Sequence, residues 1–114
     1  MVRRVVPVTV ASTLDAWRPL TSGVMGDVDA REVASIFGAL SDPVRLRIFS
    51  MIAAAPEMCS CNLEAPVGKS QPTISHHTRI LASAGLITGE KRGRWTYWRI
   101  VPGRLDLVAA LLRP

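Results

Sequence analysis

Apolar residues begin to recur at helical spacing near Asp29, where Val33, Ile36, Phe37 and Leu40 fall on one face of a segment that ends at Ser41. Asp42 and Pro43 supply an N-cap and a first-turn proline for a second helix. Its apolar positions Val44, Ile48, Met51, Ile52 and Ala55 keep the same spacing until Pro56 stops it. A short third helix is expected over Met58 to Glu64, broken by residues 65–69. Ser70 caps a fourth helix with Pro72 in its first turn, and the spacing turns Ile74, Thr78, Leu81 and Gly85 inward, Gly85 being the stop. Residues 86–90 and 95–101 are β-rich runs joined by Lys91, Arg92, Gly93 and Arg94, which predicts a hairpin with a basic tip that ends at Pro102 and Gly103. Leu105, Leu107, Val108, Ala109, Leu111 and Leu112 form a last helix too apolar to lie alone in water.

Residues 1–27 differ from this pattern. Residues 2–10 have the composition of a short strand, and no sustained period follows up to Gly26. They are read as an arm, residues 28–114 as a single domain, and Met25 as an alternative start. The fold class that follows is mainly α with a small β-hairpin, in the order of a winged helix-turn-helix, and the apolar last helix points to a dimer.

Charge then singles out a partner. The chain has 14 basic and 9 acidic residues, a net charge of +5, so polyanions come first. Between Ala65 and Ile100 stand Lys69, Arg79, Lys91, Arg92, Arg94 and Arg99 against the single acid Glu90, so the basicity sits on the fourth helix and the hairpin. Such a helix enters the major groove of double-stranded DNA, and the DNA contacts expected on it are Lys69, Ser70, Gln71, Thr73, Ser75, His76 and Arg79, with Gln71 reading bases. Lys91, Arg92 and Arg94 would lie along the phosphates as a wing. His76 and His77 are neighbours, but successive helical residues diverge by about 100°, so they do not easily chelate one ion. His77 is expected to be partly packed. Every apolar run is interrupted before membrane-spanning length and no secretion signal is read, which together with a cysteine pair too close for a disulfide framework favours a cytoplasmic protein.

The runs ALSDPVRLRI at 39–48, EMCSCNL at 57–63, SQPTISHH at 70–77 and AGLI at 84–87 resemble the ArsR/SmtB family of metalloregulatory transcriptional repressors, over about residues 29–112. The resemblance implies a homodimer joined through its first and last helices, here Val33, Ile36, Phe37, Leu107, Val108, Leu111 and Leu112. It also implies binding to an imperfect operator palindrome and release when an inducer binds. Arsenic-responsive members carry Cys, any residue, Cys, Asp, Leu, Cys before the recognition helix. Here the run is Cys59, Ser60, Cys61, Asn62, Leu63, Glu64, so two thiols match and Glu64 replaces the third.

Thiolates select soft centres, and the expected inducer at Cys59 and Cys61 is trivalent arsenic or antimony, its third position filled by solvent, a small thiol or another side chain. The last helix has no histidine, so the family's zinc-type interfacial site is absent. Two alternatives use the same cysteines: a redox or persulfide sensor of the same fold, or plain packing. An oxidoreductase is disfavoured by the lack of a Cys-X-X-Cys pair, and no catalytic residues or catalytic cofactor are expected. On a regular helix residues two apart diverge by about 200°, so inducer binding is expected to distort the third helix and tilt the recognition helices away from their spacing of about 34 Å.

Overall fold

The computed structural model describes residues 3–4 and 18–114. After a two-residue strand β1 (Arg3–Arg4) and a 3-10 turn (Leu20–Ser22) come helices α1 (Asp27–Leu40) and α2 (Pro43–Ala53). Next are strand β2 (Met58–Cys59), a 3-10 turn (Ser60–Asn62), the single-turn helix α3 (Glu64–Val67) and helix α4 (Gln71–Ser83). Strands β3 (Ile87–Arg92) and β4 (Trp95–Ile100) and helix α5 (Pro102–Leu112) complete the chain. Among these residues no helix is long and apolar enough to cross a membrane. Of the strand-like residues 2–10, Arg3 and Arg4 form β1, and the others lie outside the described residues.

Local chemistry sets the helix ends. Asp27 and Asp29 occupy the first turn of α1, where negative charge complements the exposed N–H groups. The Asp42 carboxylate accepts the Arg45 N–H at 2.9 Å and Pro43 opens α2. Pro102 opens α5 instead of simply ending the hairpin, because its missing N–H costs nothing at a first helical position. The apolar stripes of these helices meet in one core, in which Ile36, Ile48, Ile52, Leu63, Ile74, Leu81, Leu86, Ile87 and Leu111 are the large side chains removed from solvent.

The strands form one antiparallel sheet in the order β1-β3-β4-β2. Its hairpin runs in register from Ile87 opposite Ile100 to Arg92 opposite Trp95, and Gly93 turns the chain at a φ of 63°. Arg104 of α5 is buried, its Nε donating to the Ala84 carbonyl at 3.2 Å and its Nη2 paired with Glu32 of α1. The guanidinium lies against Gly85, whose φ of 78° and lack of a Cβ permit that approach.

Two expectations are corrected here. Residues 58–62 form a strand and a 3-10 turn, not a helix, because Met58 and Cys59 pair with Trp98 and Tyr97 across the sheet, and the one helical turn falls at Glu64–Val67, mostly inside the stretch expected to break it. Val33, Ile36 and Leu111, expected at a subunit interface, are buried in the chain's own core, and Leu107 and Val108 are half-buried. Phe37 and Leu112 stay 38% and 56% exposed.

Candidate nucleic-acid interface and thiol site

Helix α3 ends at Gly68, whose left-handed backbone swings the chain into α4. Ile74, Thr78 and Leu81 anchor α4 in the core, so the opposite side is offered to solvent. Ser70, Ser75, His76 and Arg79 are exposed there with Lys69 just before them, and Thr73 is half-buried. Ser70 Oγ lies 3.4 Å from Thr73 Oγ1, and Arg79 Nη2 reaches Ser75 Oγ at 3.4 Å, so these polar groups are loosely held and share one face. His77 is half-buried, and Arg45 Nη1 lies 3.1 Å from its Nδ1 while Arg45 Nε donates to the Ala39 carbonyl at 2.6 Å. Burial lowers the His77 pKa, opposed by the charge of Asp42 and assisted by that of Arg45. Because a guanidinium only donates, Nδ1 is the acceptor in the Arg45 contact. The His76 and His77 ring centroids are 5.4 Å apart, and no group of three or more metal-ligating side chains exists among the described residues.

Gln71 departs from the expectation. Its side chain is half-buried and turned back, with Nε2 donating to the Ser60 carbonyl at 2.8 Å, so its amide is not the free base-reading group that outward helical spacing implied. Arg92 departs in the same way. Its two Nη atoms grip the two carboxylate oxygens of Glu57 at 2.7 Å each, Nη2 also meets Glu90 at 2.7 Å, and its guanidinium lies 4.5 Å above the Tyr97 ring. Arg99 adds a contact to Glu57 at 3.3 Å. These bonds, Arg92 first, hold the Glu57 carboxyl below the usual carboxylate range. Lys91 and Arg94 remain exposed at the tip, Arg94 lying 4.8 Å above the Trp95 ring. Arg92 and Arg99 are exposed too but are engaged by Glu57, which leaves Lys91 and Arg94 as the tip cations that this carboxylate does not hold.

Cys59 ends β2 at 5% exposure and Cys61 lies half-buried in the 3-10 turn. Their Cα atoms are 5.1 Å apart and their sulfurs are joined as a disulfide, with the Cys61 N–H directed at Cys59 Sγ at 3.1 Å. A bridge across one intervening residue restrains little chain, so it is no framework staple. The divergence of a regular helix does not apply at this strand-to-turn junction, and no helix has to unwind for both sulfurs to meet one atom. Glu64 opens α3 three positions after Cys61.

Between the sulfurs is Ser60, 7% exposed, whose role sequence reasoning missed. Its carbonyl accepts from Gln71, and its Oγ lies 3.4 Å from the Thr96 N–H of β4. Glu57 was missed as well. Both act through partners 11 to 42 positions away, a distance at which no local signal exists.

Residues 42–88 match the family described as bacterial regulatory protein, arsR family. The chain is 40% identical over 81 residues to an uncharacterized HTH-type transcriptional regulator of Methanocaldococcus jannaschii, covering 71% of this chain and 91% of that protein. It is 39% identical over 67 residues to an arsenic resistance transcriptional regulator of Pseudomonas putida, covering 59% of this chain and 58% of that one. An ArsR-like transcriptional regulator from Rhodococcus sp. RHA1 superimposes with a TM-score of 0.63 at 30% identity, over 71% of this chain and 76% of that structure.

Proposed function

This chain belongs to the bacterial regulatory proteins of the arsR family, and we propose that it is a homodimeric repressor released from operator DNA when trivalent arsenic or antimony binds Cys59 and Cys61. The observation that carries this reading is the convergence of the two sulfurs at the junction of the wing's edge strand and the helix-turn-helix. Arsenous acid suits the reduced pair: two As–S bonds form, two As–O bonds break, and each thiol proton leaves with a hydroxide as water. One hydroxyl stays on arsenic, or Glu64 replaces it. The name of the Pseudomonas putida relative is in keeping with this choice of metalloid.

Lys69, Ser70, Thr73, Ser75, His76 and Arg79 are assigned to the groove because they lie just before or along the polar side of α4, all exposed but the half-buried Thr73, and Lys91 and Arg94 are assigned to the phosphates because they are exposed at the hairpin tip. Phe37 and Leu112 leave apolar surface open on α1 and α5, where a second copy would cover it. A monomer by light scattering at micromolar concentration overturns that assembly.

The disulfide favours a second reading, in which peroxide oxidises the pair and is itself reduced to two waters, the two thiol hydrogens and two electrons passing to it. One titration separates the readings: anisotropy of labelled operator with the reduced protein, against arsenite, antimonite, zinc and peroxide. Release by the metalloids at concentrations where peroxide and zinc leave the complex intact is expected. Cys59→Ser and Cys61→Ser should hold the operator yet need at least about tenfold more arsenite, since the soft thiolate is lost at constant side-chain volume. Unchanged release of both serine variants overturns the thiol site.

A further inference from the structure

We propose that Gln71 is the positioning residue that transmits the chemical state of Cys59 and Cys61 to helix α4, through the hydrogen bond from its Nε2 to the carbonyl of Ser60. The proposal deepens the reading above and rests on it.

Ser60 is the one residue between the two sulfurs, so whatever joins them closes a small ring that contains its backbone. The bond from Gln71 to Ser60 is made with the sulfurs joined directly; inserting a metalloid atom between them enlarges that ring and obliges the Ser60 peptide to rotate. Ser60 cannot yield freely into solvent, being buried and held on two sides. On the wing side its Oγ has a long contact, 3.4 Å, with the Thr96 N–H. On the other side its carbonyl holds Gln71 at 2.8 Å. A bond of that length weakens steeply as its angle opens, so a rotating carbonyl withdraws the acceptor instead of merely stretching the contact.

Gln71 is the first residue of α4, with Ser70 before it and Thr73, Ser75 and His76 following on the groove-facing turns. Its amide is held from outside the helix, and α4 has no side-chain N-cap bond of its own, since Ser70 makes none. The Ser60 carbonyl thus fixes from outside the end of α4 that bears the groove-facing polar groups. Losing it frees the amide and loosens the orientation of that turn. By linkage, bound operator weakens inducer affinity by the same factor as the inducer weakens operator affinity.

The test separates binding from transmission. Arsenite affinity is measured on the free reduced protein by the absorbance of the As–S bonds, and operator release by anisotropy at low salt, where the variants remain on DNA. The ratio of operator affinities without and with saturating arsenite is the coupling factor. Gln71→Met keeps length without a donor, and Gln71→Glu sets an acceptor against the carbonyl. Both should bind arsenite within about twofold of the wild type while the coupling factor falls at least about fivefold. Wild-type coupling in both variants overturns the proposal, as does a loss of operator preference with coupling intact, which would return Gln71 to base reading. The same ratio is taken with the disulfide made by diamide, which accepts the two thiol hydrogens. If the wild type binds no arsenite, the metalloid reading fails, and the diamide arm still decides whether Gln71 transmits the thiol state.

Discussion

The helical body and the segment from Glu57 to Cys61 are held by opposite means. Helices α2 and α4 meet through Ile48, Ile52, Ile74 and Leu81, all removed from solvent, and such contacts are numerous, non-directional and individually weak. Glu57 and Ser60 are tied by a few directional bonds, to Arg92 and Arg99 on the wing and to Gln71 on α4. A packed core resists displacement as a whole, whereas a hydrogen bond or ion pair is lost when one atom moves. A change at the thiols can therefore alter contacts to both α4 and the wing and leave the core intact.

The largest effect that sharpens this contrast is expected in the core. Leu81→Ala removes a fully buried side chain and should cost about 2–5 kcal/mol in urea unfolding, in oxidised and reduced protein alike. A cost that changed with the thiol state would mean that the core takes part in the signal. Glu57→Gln should leave the urea midpoint nearly unchanged, because its ion pairs are at the surface. It should instead release Arg92 toward DNA and steepen the salt dependence of binding by about one phosphate contact; an unchanged slope would show that Arg92 stays on Glu90 and Tyr97.

The smallest effect is one of pH. His77 in the fold has a pKa held below its ordinary 6.5, chiefly by burial, so the unfolded chain takes up the proton first as pH falls. Its contribution to stability is complete above about pH 6.5 and is lost as pH falls through the folded-state value. In His77→Gln the Tm should decline less between pH 7 and 5 than in the wild type. Parallel curves would mean that the Arg45 contact leaves the ring free to protonate in place.

Features governed by neighbours in sequence were legible from it. Asp42 with Pro43 announced the start of α2, Gly85 the end of α4, and the β-rich runs around Gly93 the hairpin. The inward set Ile74, Thr78 and Leu81 and the packing of His77 followed from periodicity. Where a distant partner competes, the same reasoning fails. Met58 and Cys59 carry no strand signal of their own and become β2 only because Trp98 and Tyr97 present a free edge. Helical spacing turned Gln71 outward and the hairpin tip did the same for Arg92, yet the Ser60 carbonyl and the Glu57 carboxylate claim them. Apolar composition likewise suggested an interface for Ile36 and Leu111, which the chain's own core takes first.

The placement of β1 and β2 has a consequence for how copies of this chain meet. A bare two-stranded hairpin presents two rows of unused N–H and C=O groups, each an invitation to another hairpin. Here β1 lies beside Gly89 and Glu90 on one border, and β2 lies beside Tyr97 and Trp98 on the other. Strand-to-strand joining is thereby blocked along the base of the wing, and the outermost stretch, with Lys91 and Arg94 exposed, repels its like by charge. The hairpin can be held out into solvent at high concentration without becoming the seed of a continuous sheet.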